Sequence, residues 1–207
     1  MDALPADKPT DTPSDGKLSL ENKLLVATPA MLDPRFRQAV IYMCVHDAEG
    51  AMGIVINRPK RVGPAPLRLT DLLEHIGVDG APKVADAAVL DGGPVDMERG
   101  FVLHSPDYGR PESTLPISDG LALTSTRDVL HALVTDAAPA RAILAIGYAG
   151  WGGGQVEAEI AENAWIVCEP ENAEALVFAS NHAEKWSEAL AGMGIDPAML
   201  SAVGGRA

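Results

Sequence analysis

The chain has little cysteine, an acid-biased charge and no long apolar run. Two cysteines in 207 residues exclude the disulfide framework that holds small secreted domains together. Cys44 and Cys168 each sit in an apolar stretch and read as buried free thiols. Lys and Arg number 16 against 29 Asp and Glu, a formal net charge of −13. Nucleic-acid binding takes most of its affinity from cations that neutralise phosphates, so this sign disfavours a nucleic-acid partner. The longest apolar runs, Ala39–Val45 and Ala142–Ile146, fall far short of the ~20 residues that span a bilayer, and no membrane partner is expected. The opening residues, MDALPADKPTDTPSDG, have neither the basic nor the apolar region of a secretory signal. A cytoplasmic location is the default expectation.

Signatures of chemistry are also missing. There is no GxSxG, CxxC or HExxH, and no phosphate-binding GxxxxGK[ST]. The histidines, His46, His75, His104, His131 and His182, are dispersed without zinc-ligand spacing. Cys44 and His46 share a strand face if the period of two holds. That makes a thiolate–imidazole pair conceivable, against the simpler reading of satisfied core residues. No cofactor is expected, and oligomeric state leaves no signature.

What is present is a patterned chain of one expected domain. Residues 1–17, rich in Pro, Asp, Thr and Ser, are expected to be a disordered tail, and 18–207 to form the domain. Lys23–Thr28, Ala39–Val45 and Ala51–Ile56 read as strands, the last two as an antiparallel hairpin around Asp47–Gly50. Arg61–Arg68 reads as loop, followed by a short helix through His75 capped by Thr70 or Asp71. Ala87–Leu90, Gly100–His104 and Leu121–Thr124 read as strands, with Ser105–Pro116 as loop between. Arg127–Val134 reads as an amphipathic helix, Ala142–Tyr148 as a buried strand, Gln155–Glu162 as a helix and Ala164–Cys168 as a strand. At His182–Met193, Trp186, Ala189, Leu190 and Met193 share one helical face. Strands grouped early and mixed with helices later favour an α+β fold.

Two segments invite a functional reading. Gly147–Gln155, GYAGWGGGQ, lies between an expected strand and helix, as in a dinucleotide-binding unit. Glu169 falls where a ribose-binding acid could sit. The fingerprint fails because Gln155 stands where GxGxxG needs its third glycine. A structural turn around the Trp fits better. The second is a set of polar groups at strand ends: Asn57-Arg58-Pro59, Asp91-Gly92-Gly93-Pro94, Glu98-Arg99-Gly100 and His104. Asn57, Arg58, Arg99 and His104 are the candidate binding residues of one rim. The alternative is ion pairing that fixes loops. Arg58, Lys60, Arg61 and Arg68 form the one local excess of base. They read either as a solvated loop or as an anion contact.

Several segments together resemble the YqgE/AlgH family of bacterial proteins. They are LLVATPAMLDPRFRQAVIYMCVHDAEGAMGIVINRP (24–59), GGPV (92–95), ERGFVLHS (98–105), ISDGLALTSTRDVL (117–130), AIGYAGWGGGQVEAEIAENAWIVC (145–168) and WSEAL with GIDPAMLS (186–201). The chain ends Gly204-Gly205-Arg206-Ala207, where the family often ends Gly-His-Ala. The resemblance implies an α+β fold with a bifurcated, coiled, largely antiparallel sheet, barrel-like in part and surrounded by helices. It brings no established reaction, ligand or cofactor, and a namesake link to transcriptional control of alginate production. The expected function is that of a non-enzymatic cytoplasmic regulatory or adaptor module that binds a protein or a small ligand. The alternatives are a transcriptional regulator, and a nucleotide- or anion-binding enzyme using residues 147–155.

Overall fold

The structure is a computed structural model describing residues 19–109 and 111–200. The expected disordered tail 1–17 and the ending 204–207 lie outside the described residues. The first half runs β1 (Leu24–Ala27), β2 (Val40–His46), β3 (Gly50–Val55), β4 (Arg61–Val62), β5 (Ala65–Pro66) and α1 (Leu69–His75). It continues through β6 (Leu90–Asp91), β7 (Val95–His104), β8 (Thr114–Ser118), β9 (Leu121–Thr124) and α2 (Arg127–Ala132). The last part is β10 (Ala142–Gly152), α3 (Gln155–Ala161), β11 (Trp165–Cys168), α4 (Ala173–Phe178) and α5 (Lys185–Gly192). The principal sheet has the order β11-β1-β2-β3-β10-β7-β9-β8, with β6 alongside β10. It curls into a half-barrel surrounded by helices, the expected α+β fold.

Alternation along the strands explains the layers. Leu24, Val26, Val40, Tyr42 and Ile54 point into a central core completed by Leu103, Ile143, Val177 and Leu190. Their neighbours Leu25, Ala27, Ile41, Met43 and Val55 point to the opposite face, which α3 covers through Val156. A third cluster lies where α1 and α2 cover β7 and β10, through Leu73, Val102, Val129 and Leu144.

The long strand β10 joins the halves of the sheet. Ala145 and Ile146 pair in parallel with Leu90 and Asp91 of β6. Beyond Gly147, residues Ala149–Gly152 pair antiparallel with β3. One edge of β10 therefore serves two different partners, and the sheet bifurcates there. Gly147 has φ +76°, and a Cβ on it would strike the carbonyl of Gly93. A Cβ on Gly93, at φ +146°, would strike the backbone of Tyr148. Only glycine permits both this approach and these angles. Gly92 ties the halves together, its N–H donating to Ile146 (2.9 Å) and its carbonyl accepting from Val55 (3.0 Å).

Several expected elements are corrected. GYAGWGGGQ is not a loop after a strand ending at Tyr148: the strand continues to Gly152 because β3 pairs with it. Arg61–Arg68 is not wholly loop, since β4 and β5 pair as a small hairpin. β7 begins at Val95, five residues before Gly100. β8 occupies the end of the expected loop Ser105–Pro116 because β9 offers it an edge. Ala87–Leu90 shortens to Leu90–Asp91, with Ala88 held by an isolated bridge to Arg68. α1 begins at Leu69 instead of after Thr70 or Asp71. Asp86 accepts the Thr70 N–H from across the chain (3.1 Å), and Asp71 accepts the Arg68 N–H (3.4 Å). The helix α4, capped by Asn172 accepting from the Ala175 N–H (2.9 Å), had no counterpart in the sequence reading.

Lys185, the first residue of α5, is fully buried. Its Nζ donates to the carbonyls of Ile56 (3.0 Å) and Val177 (2.8 Å). Burial pulls this ammonium down to about 7, with Glu188 acting weakly against the shift. Above that value the unfolded chain holds a proton that the folded chain has released, so stability from this group rises as pH rises towards the ordinary lysine value. Burial also raises the Cys44 and Cys168 thiols, which works the other way once free thiols ionise in the unfolded chain. The Lys185 contribution is therefore read as a difference between two proteins. The unfolding free energy of the native chain minus that of Lys185→Met should rise between pH 7 and 9, by on the order of 1–3 kcal/mol. A flat difference would remove the buried ammonium from the argument. For the crossing, Gly147→Ala should cost about 3 kcal/mol or more in urea unfolding, and a loss under ~1 kcal/mol would show it to be slack.

Candidate functional site

The strand-end groups separate into bracing residues and one cleft residue. The Asn57 side chain accepts the Val40 N–H (2.9 Å) and donates to the Gln38 carbonyl (2.8 Å). Arg58 donates to the carbonyls of Arg35 and Arg37. Together they hold the segment entering β2. Arg58 and Asp91 do meet, through a backbone bond from the Asp91 N–H to the Arg58 carbonyl (2.8 Å). The rest of the local basic excess is engaged too. Arg68 pairs with Asp86 (2.8 Å), Lys60 lies 3.9 Å from Asp91, and Arg61 donates to the Pro64 carbonyl.

His104 is fully buried on β7. Nδ1 faces the Ser105 carbonyl (2.8 Å), so it carries the proton and donates. Nε2 then accepts from the Thr124 hydroxyl (2.9 Å), which in turn accepts from Thr114 (2.8 Å). Burial lowers the His104 pKa and keeps the ring neutral. Nearby, Asp107 accepts from the Ser105 hydroxyl (2.5 Å) and the Ala140 N–H (2.9 Å).

Arg99 is placed by an irregularity in β7. Gly100 pairs with Ile146 and Val95 with Tyr148, so four residues of β7 stand opposite Gly147 alone. Asp96–Arg99 are forced outward as a wide bulge, with Asp96 at φ +52°. Arg99 Nη2 donates to the Ser125 Oγ (2.6 Å), just before α2. Nη1 is 4.0 Å from Asp96, and the guanidinium lies 5.5 Å from the centre of the Phe101 ring. Arg99 thus stands between two clefts. One, of about 310 Å³, lies between α1, α2 and β7. Its floor is Leu72, Val78, Val102, Val129, Leu144 and Ile146; its lips include Ile76, Asp96, Glu98, Ser125, Thr126, Arg127 and His131. The other, of about 490 Å³, opens towards Met52, Leu115 and Tyr148. Arg99 and His104 are five residues apart on one strand, roughly 15 Å. The fold therefore does not gather the four candidates on one rim. No periodicity predicts a four-residue bulge, but the exposed polar run Asp96-Met97-Glu98-Arg99 before the apolar FVLH was its trace.

The glycine-rich segment has a structural occupation. The Gly152 N–H donates to Gln155 Oε1 (3.0 Å), and Gln155 Nε2 donates to Glu159 (2.9 Å). Glu159 Oε2 accepts from both Trp151 (2.9 Å) and Trp165 (2.8 Å) indoles. β10 and β11 are parallel but have β3, β2 and β1 between them, so they do not form the adjacent pair of a dinucleotide-binding unit. A flat sheet would hold them roughly 19 Å apart, yet the two indole centres are 6.1 Å apart over α3. Cys44 and His46 do not share a face. A bulge between Met43 and Val45 reverses the alternation. Cys44 enters the central core, while His46 Nδ1 accepts the Leu20 N–H (3.1 Å) and Nε2 meets Glu157 of α3 (3.3 Å).

These features define an α+β protein with a split, curled sheet and an arginine-edged apolar cleft, and comparisons agree on its kinship. An AlgH-like family model matches residues 24–198. The chain belongs to this AlgH-like family. A UPF0301 protein of Caulobacter vibrioides is 46% identical over 194 residues, covering 93% of this chain and 96% of that protein. One from Ruegeria pomeroyi is 45% identical over 191 residues, covering 92% and 100%. The solution structure of the AlgH protein from Pseudomonas aeruginosa aligns with a TM-score of 0.70 at 36% identity, covering 97% of this chain and all of that one. A Corynebacterium diphtheriae crystal structure, with a TM-score of 0.61 at 18% identity, shares the fold. The family's biochemical role is uncharacterised.

Replacing Glu159 with Leu removes the acceptor of two indoles. Unfolding stability should fall by about 1–3 kcal/mol, with a red shift of tryptophan emission in the folded protein. Unchanged emission and stability would show that the carboxylate is dispensable.

Proposed function

We propose that this protein is a non-enzymatic cytoplasmic regulatory or adaptor module whose recognition site is the Arg99 cleft. The observation that carries the reading is one arginine, fixed by Ser125 at 2.6 Å, at the lip of a cleft with an apolar floor. Pockets of this kind are the usual seat of ligand recognition: apolar walls supply affinity and a few placed polar groups supply orientation. Of the other candidates, His104 braces β7, which lines the cleft, through Thr124, while Asn57 and Arg58 hold the segment entering β2, away from it. Among the described residues, no helix is long and apolar enough to cross a membrane. Transcriptional control through DNA has only the family association in its favour. It is opposed by the net charge of −13 and by the engagement of Arg58, Arg61 and Arg68 within the fold. A phosphate cradle at 147–155 is disfavoured because the Gly152 N–H already bonds Gln155.

The test compares immobilised native protein with Arg99→Ala and Arg58→Ala in lysate capture and in a metabolite thermal-shift panel. Retained partners or shifts should fall at least fivefold with Arg99→Ala and persist with a refolded, equally stable Arg58→Ala. Partners indifferent to Arg99 would sink the reading. Salt-sensitive submicromolar DNA binding by fluorescence polarisation would replace it with the regulator alternative.

A further inference from the structure

The cleft between α1, α2 and β7 also specifies a ligand class, an inference that rests on the binding reading above. We propose that it takes a small amphipathic monocarboxylate: an unbranched apolar chain of about eight carbons ending in one carboxylate. The volume is about 310 Å³. At the ~30 Å³ that a water-sized group occupies, it has room for roughly ten non-hydrogen atoms. The floor of Leu72, Val102, Val129 and Leu144 offers no hydrogen-bonding side chain, so the body of the ligand must be apolar.

The lip supplies the head group. Arg99 is oriented by Ser125 (2.6 Å), and its nearest carboxylate, Asp96, is 4.0 Å away. Its remaining N–H groups make no hydrogen bond with the described residues. Arg127 lines the same lip, and its side chain makes no hydrogen bond or ion pair with the described residues. Thr126 precedes α2, yet its hydroxyl does not cap the helix. Three side chains with donors to offer thus border an apolar floor. A carboxylate matches the planar guanidinium with two parallel hydrogen bonds. Asp96 and Glu98 share the lip, and the whole chain is acidic. Those charges admit a single negative charge and repel a phosphate dianion.

Titration calorimetry on the full chain tests this with butyrate, hexanoate, octanoate, octan-1-ol, octylamine and octyl phosphate. Octanoate should bind at least tenfold tighter than the alcohol, the amine or the phosphate. Affinity should rise about fourfold per methylene from butyrate to octanoate. Arg99→Gln, an exposed change, should weaken octanoate at least tenfold and leave octan-1-ol unchanged. Leu130 also lines the cleft, and Leu130→Trp, which fills it, should weaken both; Ile76→Asp at its open lip gives the same reading should the tryptophan variant misfold. Equal binding of octan-1-ol, tighter binding of octyl phosphate, or an indifferent Arg99→Gln would overturn the proposal. If no amphiphile binds while partner capture still depends on Arg99, the carboxylate class fails and the binding module stands. If capture is also indifferent to Arg99, both fail.

Discussion

Two backbone segments pass each other in direct contact where Gly92 and Gly93 meet Gly147 and Tyr148. No side chain fits between them, and Gly93 and Gly147 adopt backbone angles that other residues resist. At this crossing β10 exchanges β6 for β3 as its edge partner. The irregularity at Gly147 also reverses its alternation. Ile143 and Ala145 face the central core, and after the bend Ala149 and Trp151 face the core under α3. One strand thereby contributes to all three apolar clusters. The opposing strand cannot stay in register with so tight a bend, and Asp96–Arg99 bulge out as a consequence. The position of Arg99 therefore follows from a contact between glycines.

The polar side chains follow a similar division of labour. Glu159 gathers two indoles and Gln155, and the strand–turn–helix of 147–161 becomes rigid around one carboxylate. His104, Thr124 and Thr114 form a buried chain of hydrogen bonds across β7, β9 and β8. Lys185 joins the end of β3 to the C-terminal end of α4. Each satisfies buried backbone or side-chain groups that would otherwise be costly to leave without partners. Arg99 and Arg127 differ in kind, because they edge an apolar cleft. That contrast supports the proposed recognition site at α2 and the β7 bulge, whereas the glycine-rich segment is occupied by contacts within the fold.

Much of the fold was legible because burial enforces period. Leu121–Thr124 matched its strand residue for residue, and the β2–β3 hairpin stood where Asp47–Gly50 placed it. The β4–β5 hairpin and α4 are local elements that alternation did not reveal; the other misses depended on a partner distant in the chain. β3 extended β10 through the glycines, Asp86 shifted the start of α1, and a bulge parted Cys44 from His46. Of the candidate site, Arg99 was visible as a charged residue before a buried strand. The company it keeps, Ser125 and Thr126 at the start of α2, was not, because 26 residues separate Arg99 from Ser125.

By itself the sequence determined the acidic character, the α+β class, the run of most strands and the family resemblance, because composition and local alternation are properties of the chain alone. Only the tertiary structure decided what the glycines and polar residues are for. Gly147 is a crossing point and not a phosphate loop, His104 is a buried brace, and Arg99 edges a cleft. The physical reason is that a hydrogen-bond partner or a steric neighbour brought in from another strand sets a polar residue's role. No local pattern records which neighbour that will be.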